Sequence, residues 1–138
     1  MSFLNQKNIV MSATQEAVSV STTQEIADRL VQLCREGKYE EAQTELFSDD
    51  AESIEPPNSP GLQSVKGLDA IKKKGEDFQN MVETIHGGSM SDPIVAGRFI
   101  SLSLVLDATF KGMGRQKMEE IAVYETKDGK IVKEQFFF

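Results

Sequence analysis

Apolar residues recur along this chain at two different periods, helical in its first half and alternating in its second. Ile26, Leu30, Leu33 and Cys34 follow one another at helical spacing behind Thr22-Thr23-Gln24-Glu25. That tetrapeptide has the form of a capping box, in which a hydroxyl takes early N–H groups and the glutamate reaches back. Gly37 is a natural stop. A second helix is predicted from about Tyr39 to Phe47, with Tyr39, Ala42 and Leu46 on one side and its end at Asp49-Asp50. A short strand then carries Glu55, and Pro56-Pro57 closes it at once. Proline lacks an N–H and pushes the residue before it toward extended geometry, so Glu55 is held at a strand end, a good place to aim a carboxylate into a cavity. Beyond a loop through Asn58-Ser59-Pro60-Gly61, a third helix is predicted from near Gly67. Leu68, Ile71, Phe78 and Val82 share its apolar face, and Lys72, Lys73 and Lys74 are expected to point to water rather than to form an anion site. Gly75 within this helix costs about 1 kcal/mol relative to alanine, unless something packs closely against it.

From about Glu83 the period changes to two. One extended run ends at Gly87-Gly88, another covers roughly Ile94 to Phe110, a third Gly114 to Thr126, and the last Lys130 to Phe138. Lys111-Gly112-Met113-Gly114 and Lys127-Asp128-Gly129 supply the hairpin turns. The second of these reads as a three-residue loop with Gly129 at positive φ, which sets Thr126 opposite Lys130 and Ala122 opposite Glu134. Helices first and a meander of long strands afterwards make an α+β fold. Ile100, Leu102, Leu104, Leu106, Ala108 and Phe110 form one apolar face that must cover a core or a pocket. Phe99, Ser103, Val105, Asp107 and Thr109 lie on the other, where Asp107 can meet Arg115 or Lys117 across the hairpin. In the last hairpin Met118, Glu120, Ala122 and Tyr124 share a side with Glu134, Phe136 and Phe138, while Lys117, Ile121, Val123 and Phe137 lie opposite. Both sides carry apolar area, whereas a sheet with one solvated face alternates more cleanly. A homodimer through the outer sheet face is therefore expected. Three terminal phenylalanines would be costly in water, so the last strand is expected to be paired almost to its end.

Composition narrows the classes. The 138 residues fit one domain, with about 20 polar, weakly patterned residues as a flexible N-terminal extension and 21–138 as the domain. Val18 and Val20 within the extension could form a short strand. A net charge of −7 argues against nucleic acid and against anionic membrane surfaces. No apolar run approaches the roughly 20 residues of a membrane span, and no signal peptide is evident. Cys34 is the only cysteine, so no internal disulfide forms and a reducing, cytoplasmic setting is expected, with Cys34 in the core rather than acting as a nucleophile. One histidine and no paired-ligand or glycine-rich phosphate motif imply neither metal nor cofactor.

Several short segments together resemble a known family over about residues 22 to 138. They are Glu36-Gly37-Lys38, Phe47-Ser48-Asp49-Asp50-Ala51, Gly67-Leu68-Asp69-Ala70-Ile71, and the tail Glu119-Glu120-Ile121-Ala122-Val123-Tyr124 through Asp128-Gly129-Lys130-Ile131-Val132. In order and spacing they are similar to the SnoaL-like proteins of the nuclear-transport-factor-2-like superfamily, which includes ketosteroid isomerase. The resemblance implies a cone-shaped α+β barrel of cystatin-like type, with N-terminal helices packed on a curved antiparallel sheet. It also implies a pocket for a small apolar or polyketide-like ligand, with acid–base chemistry of isomerase, cyclase, dehydratase or hydrolase type and no cofactor. A non-catalytic binding or assembly module is the alternative, since this fold hosts enzymes, carriers and binding modules alike.

By the same resemblance, Glu55 takes the place of the isomerase general base, just before the proline. Glu120, allowing one residue of slip, takes that of the acid that donates to the substrate oxyanion. The third isomerase group is a tyrosine on the first helix, and its place falls on Leu30, which has no donor. Loss of one oxyanion donor typically costs about 10²–10³ in rate, which argues against a steroid-type ketone isomerase. His86, beside Gly87-Gly88, is a further catalytic candidate because histidine titrates near neutral pH. The expected lining is Leu30, Leu102, Leu104, Leu106, Met118, Ala122 and Tyr124, with Glu134, Phe136 and Phe138. Glu120 and Glu134 are expected as diagonal neighbours, and two such carboxyls resist double ionisation, leaving one as a hydrogen-bond donor.

Overall fold

The computed structural model describes residues 20–138; the expected N-terminal extension, with Val18, lies outside the described residues but for Val20. Helix α1 (Thr23–Arg35) starts at the capping box: Glu25 N–H donates to Thr22 Oγ1 at 3.1 Å, and Thr22 N–H donates to Glu25 Oε1 at 2.9 Å. Gly37, at φ 77°, turns the chain into helix α2 (Tyr39–Leu46). Strand β1 (Phe47–Ile54) follows without a loop, because Phe47 already has extended geometry at ψ 145°. Asp49 and Asp50 thus do not stop the helix; they are exposed residues within the strand. A two-residue strand β2 (Val65–Lys66) leads into helix α3 (Leu68–Met81), which passes directly into β3 (Val82–Met90).

Strands β4 (Ile94–Ala96), β5 (Phe99–Phe110), β6 (Gly114–Lys127) and β7 (Lys130–Phe137) complete the sheet, in the order β2-β1-β7-β6-β5-β3 with β4 also on β5. The long run from Ile94 divides at Gly97, whose φ of 60° permits a tight turn that sets Ala96 opposite Phe99. Strand β3 continues through Gly87-Gly88 instead of ending there, and Gly88 lies so close to β5 that a Cβ would stand 2.8 Å from the Val105 carbonyl oxygen. One pairing departs from the expected antiparallel sheet: β1 runs parallel to β7. The sheet is therefore mixed, and the last strand is held between β1 and β6 up to Phe137.

The final hairpin also differs in register. Asp128 and Gly129 both take positive φ, 52° and 79°, the geometry of a two-residue type I′ turn, so Lys127 faces Lys130. With a bulge at Glu125/Thr126, Tyr124 then faces Glu134, and Ala122 faces Phe136.

The core lies between the helices and the inner face of the sheet. Ile26, Ala27, Leu30 and Leu33 of α1 pack with Ile71 of α3 and with Ile100, Leu102, Ala122, Tyr124 and Ile131 of the sheet. Burial of each large aliphatic side chain contributes about 1.5–3 kcal/mol. Phe78 of α3 meets Phe110 edge-on at 5.8 Å, fixing the second half of that helix on β5. Gly75 faces α2, but a Cβ there would stand 3.7 Å from Gln43 Nε2, an ordinary contact. No close approach requires the glycine. Gly75→Ala is therefore expected to stabilise the fold by about 0.5–1 kcal/mol, read as a higher urea midpoint with an unchanged slope.

Candidate functional site

Four elements converge on a polar cluster inside this apolar frame. Ala51, Ser53 and Glu55 alternate along and just past β1, so all three point inward. Glu55 follows the last residue of β1, and its N–H donates to Ser64 Oγ at 2.8 Å, which together with Pro56 fixes the backbone there. From α3, Lys74 reaches Glu55, with Nζ 2.8 Å from Oε2. The two side chains are only 9% and 7% exposed, so this is a buried ion pair. The Lys74 ammonium also lies 5.6 Å above the ring of Phe136, within cation–π range. Lys74 thus leaves the expected solvated lysine face, while Lys73 stays exposed and pairs with Asp77.

On β7, Glu134 lies directly opposite Ser53 in the parallel pairing and accepts a 2.6 Å hydrogen bond from the Ser53 hydroxyl. Burial pushes its carboxyl up to about 7, against the weaker effects of the Ser53 hydrogen bond and the Lys74 charge. Glu120, half-buried on β6 opposite Leu104, is raised for related reasons: burial first, then the charge of Glu55, with Lys74 acting in the other sense. Burial likewise pushes Cys34 up to about 11 and raises the buried Tyr124 phenol. Cys34 is accordingly a neutral thiol packed against the core.

Glu120 and Glu134 are therefore each brought within electrostatic reach of Glu55 and Lys74. Glu120 and Glu134 are not diagonal neighbours, because the two-residue turn and the bulge at Glu125/Thr126 together place Glu134 beside Tyr124. Of the residues expected as lining, Leu30, Leu102, Ala122 and Tyr124 are buried in the core, and Leu104, Leu106, Met118 and Phe136 are half-buried. Phe138 is not part of this lining: it lies past the end of β7 and is 55% exposed. His86 does not join the site either. It is exposed, with Nε2 2.7 Å from Thr109 Oγ1 on the outer face, because β3 shifts register against β5 on either side of Thr84-Ile85. On that face Asp107 makes the expected salt bridge, bidentate to Arg115 at 3.0 and 2.9 Å, which holds its carboxyl below the usual range.

Lys74 and Ser53 are the residues the sequence reading missed. Lys74 stands three residues after Ile71 and four before Phe78, on the same helical face as both. Ser53 shares the parity of Ala51 and Glu55. Among the described residues, no group of three His, Cys, Asp or Glu residues could hold a metal ion, and no helix is long and apolar enough to cross a membrane. Two open hollows of about 400 and 360 Å³ lie elsewhere, one beside Arg35 and Asp92 and the other around Gly67.

A family model described as SnoaL-like domain matches residues 21–138. The chain belongs to the SnoaL-like family. Among solved structures, a protein from Mesorhizobium loti assigned as a SnoaL-like polyketide cyclase is 33% identical, with a TM-score of 0.80 over 86% of this chain and all (100%) of that one. A ketosteroid isomerase-like protein from Catenulispora acidiphila, in complex with trimethylamine, is 18% identical, with a TM-score of 0.61 over 85% of this chain and 87% of that one. TerC, co-crystallised with polyporic acid, is 14% identical, with a TM-score of 0.64 over 85% of this chain and 92% of that one. No curated protein matches the chain. The SnoaL-like assignment agrees with the α+β architecture and with the small-residue, strand and turn segments that suggested it.

The raised carboxyl of Glu134 couples protonation to stability in this SnoaL-like domain. Between its ordinary value of 4.5 and about 7, Glu134 holds its proton when folded and releases it when unfolded. The contribution is complete below about pH 4.5 and is lost as pH rises through about 7. A shift of this size corresponds to roughly 3 kcal/mol. Urea midpoints of the wild type should fall across that interval, and Glu134→Gln should remove this part of the pH dependence.

Proposed function

We propose that this SnoaL-like domain binds a small, apolar, polyketide-like ligand within the cone and carries out acid–base chemistry on it without a cofactor. Glu134 carries the reading: a carboxyl buried beside Ser53 and raised to about 7 can both give and take a proton near neutral pH. In this reading Glu55 accepts a proton alpha to a carbonyl, and Glu134 and the half-buried Glu120 stand by as weakly acidic hydrogen-bond donors to the ligand. Entry of the ligand separates Glu55 from Lys74, since the pair is closed to solvent as it stands. The name of the Mesorhizobium loti relative supports a polyketide-like ligand and a cyclase-type reaction. Leu30, where an isomerase tyrosine would stand, directs the reading away from steroid-type ketones.

The test is catalysed exchange of the acidic C–H of β-tetralone in deuterium oxide, followed by proton NMR. The wild type should accelerate exchange, and Glu55→Gln or Glu134→Gln should each lower the rate by about 100-fold while retaining cooperative unfolding. Binding of β-tetralone without any acceleration would select a non-catalytic binding module. The closed ion pair, with both open hollows elsewhere, is the observation that favours that second reading.

We also infer that a second copy covers the outer sheet face. Phe99, Ile121 and Phe137 are 39%, 44% and 48% exposed there, with Val123 between them and Val105 one step beyond in the strand register. Light scattering should give twice the chain mass of 15.3 kDa, and Ile121→Asp should return the monomer value. A wild type at the single-chain mass refutes the dimer.

A further inference from the structure

Lys74 is the only positive charge that acts on Glu120 and Glu134 among the described residues. Its position is hard to explain by stability alone. A buried ion pair often contributes no more than apolar residues of the same volume, because desolvation offsets the attraction. Here the neighbours of the pair are apolar or weakly acidic: Phe136 under the ammonium, Glu120 and Glu134 within reach of its charge. Moving a proton from a neutral ligand to Glu55 leaves an anionic oxygen on the ligand. In an interior of low dielectric that oxygen needs a cation or strong donors, and the position of an isomerase tyrosine holds Leu30.

We propose that Lys74 is the oxyanion-binding residue of this site, and that its ligands are neutral ketones or phenols whose oxygen becomes anionic when Glu55 takes their proton. The proposal rests on the acid–base reading above. In the step, a C–H or O–H bond of the ligand breaks and an O–H bond forms on Glu55. The electron pair stays on the ligand as an enolate or phenolate, and the Lys74 ammonium moves from the carboxylate to that oxygen. No co-reactant is needed and the net charge of the cluster does not change. The pair is in effect a base and a counter-ion stored together, so the reaction exchanges one buried ion pair for another. A ligand that is already a permanent anion would instead add a second negative charge beside Glu55.

The probe is β-naphthol, which is neutral in neutral water and whose absorption band moves to longer wavelength on ionisation. Bound to the wild type it should show the naphtholate band. Removing Lys74 alone leaves Glu55 buried without a partner, so the deciding comparison is made in the Glu55→Gln background, where neither variant strands a carboxylate. Glu55→Gln should bind naphtholate and release the proton to buffer. Glu55→Gln/Lys74→Met should bind only neutral naphthol, with affinity for the ionised form lower by about tenfold or more. Glu55→Gln/Lys74→Arg should recover part of the naphtholate band. Equal naphtholate signals with and without Lys74 overturn the proposal, as does a neutral probe in the wild type or no binding to it. The β-tetralone exchange separates the two readings. Exchange together with neutral bound naphthol leaves the acid–base chemistry standing and removes Lys74 from it. Lys74-dependent naphtholate without exchange leaves the anion site and removes the catalysis.

Discussion

The Lys74–Glu55 ion pair is the constraint around which the interior is arranged. At 2.8 Å, with both side chains almost wholly shielded from water, neither charge can lose its partner cheaply. Removing one member of such a pair typically costs about 3–5 kcal/mol, because the other is left charged and buried. The pair therefore ties α3 to the end of β1. Local features hold each partner for it. Pro56 and the Ser64 hydroxyl fix the Glu55 backbone, and Ile71 and Phe78 fix the helical face that carries Lys74.

The topology then decides what stands near this pair. Because β7 returns beside β1 in parallel, Ser53 lies opposite Glu134, and the shortest polar contact of the cluster crosses between the first and last strands of the fold. Because the β6–β7 turn has two residues rather than three and β6 bulges at Glu125/Thr126, Glu134 shares its level with Tyr124 and not with Ala122. What stands beside Glu134 on β6 thus depends on backbone choices outside the cluster: positive φ at Asp128 and Gly129, and the bulge at Glu125/Thr126.

These choices mark the limit of what could be read from the chain. The capping box at Thr22, the Gly37 break, the α3 face and the Asp107–Arg115 bridge were legible because each rests on neighbours in sequence or on a single hairpin. Glu55 was legible as an inward carboxylate through its prolines. The parallel β1–β7 pairing was not, since no local pattern announces which distant strand will lie alongside. The hairpin register failed because Lys127-Asp128-Gly129 suits both loop lengths, and only the φ of Asp128 distinguishes them. Lys74 was hidden by its company: three consecutive lysines read as a solvated face, although helical spacing from Ile71 to Phe78 turns one of them inward. His86 misled in the opposite way, its residue type suggesting chemistry while the shifted register of β3 turned it to the outer face.

Charge balance explains why the remaining acids of the interior behave as they do. One ammonium can neutralise one carboxylate, and Glu55 occupies it at contact distance. Glu120 and Glu134 are left without a cation of their own, so burial and then the charge of Glu55 act against their ionisation. Glu134 is the more fully enclosed, and the Ser53 hydrogen bond only partly offsets the loss of water. Cys34 and Tyr124 are driven the same way and stay neutral. The cluster is thus held closer to neutrality than its three carboxyls and one ammonium would be in water. Such an interior is poorly suited to ligands with a fixed charge. On the proposed reading it favours ligands that enter neutral and become charged only when Glu55 has taken their proton.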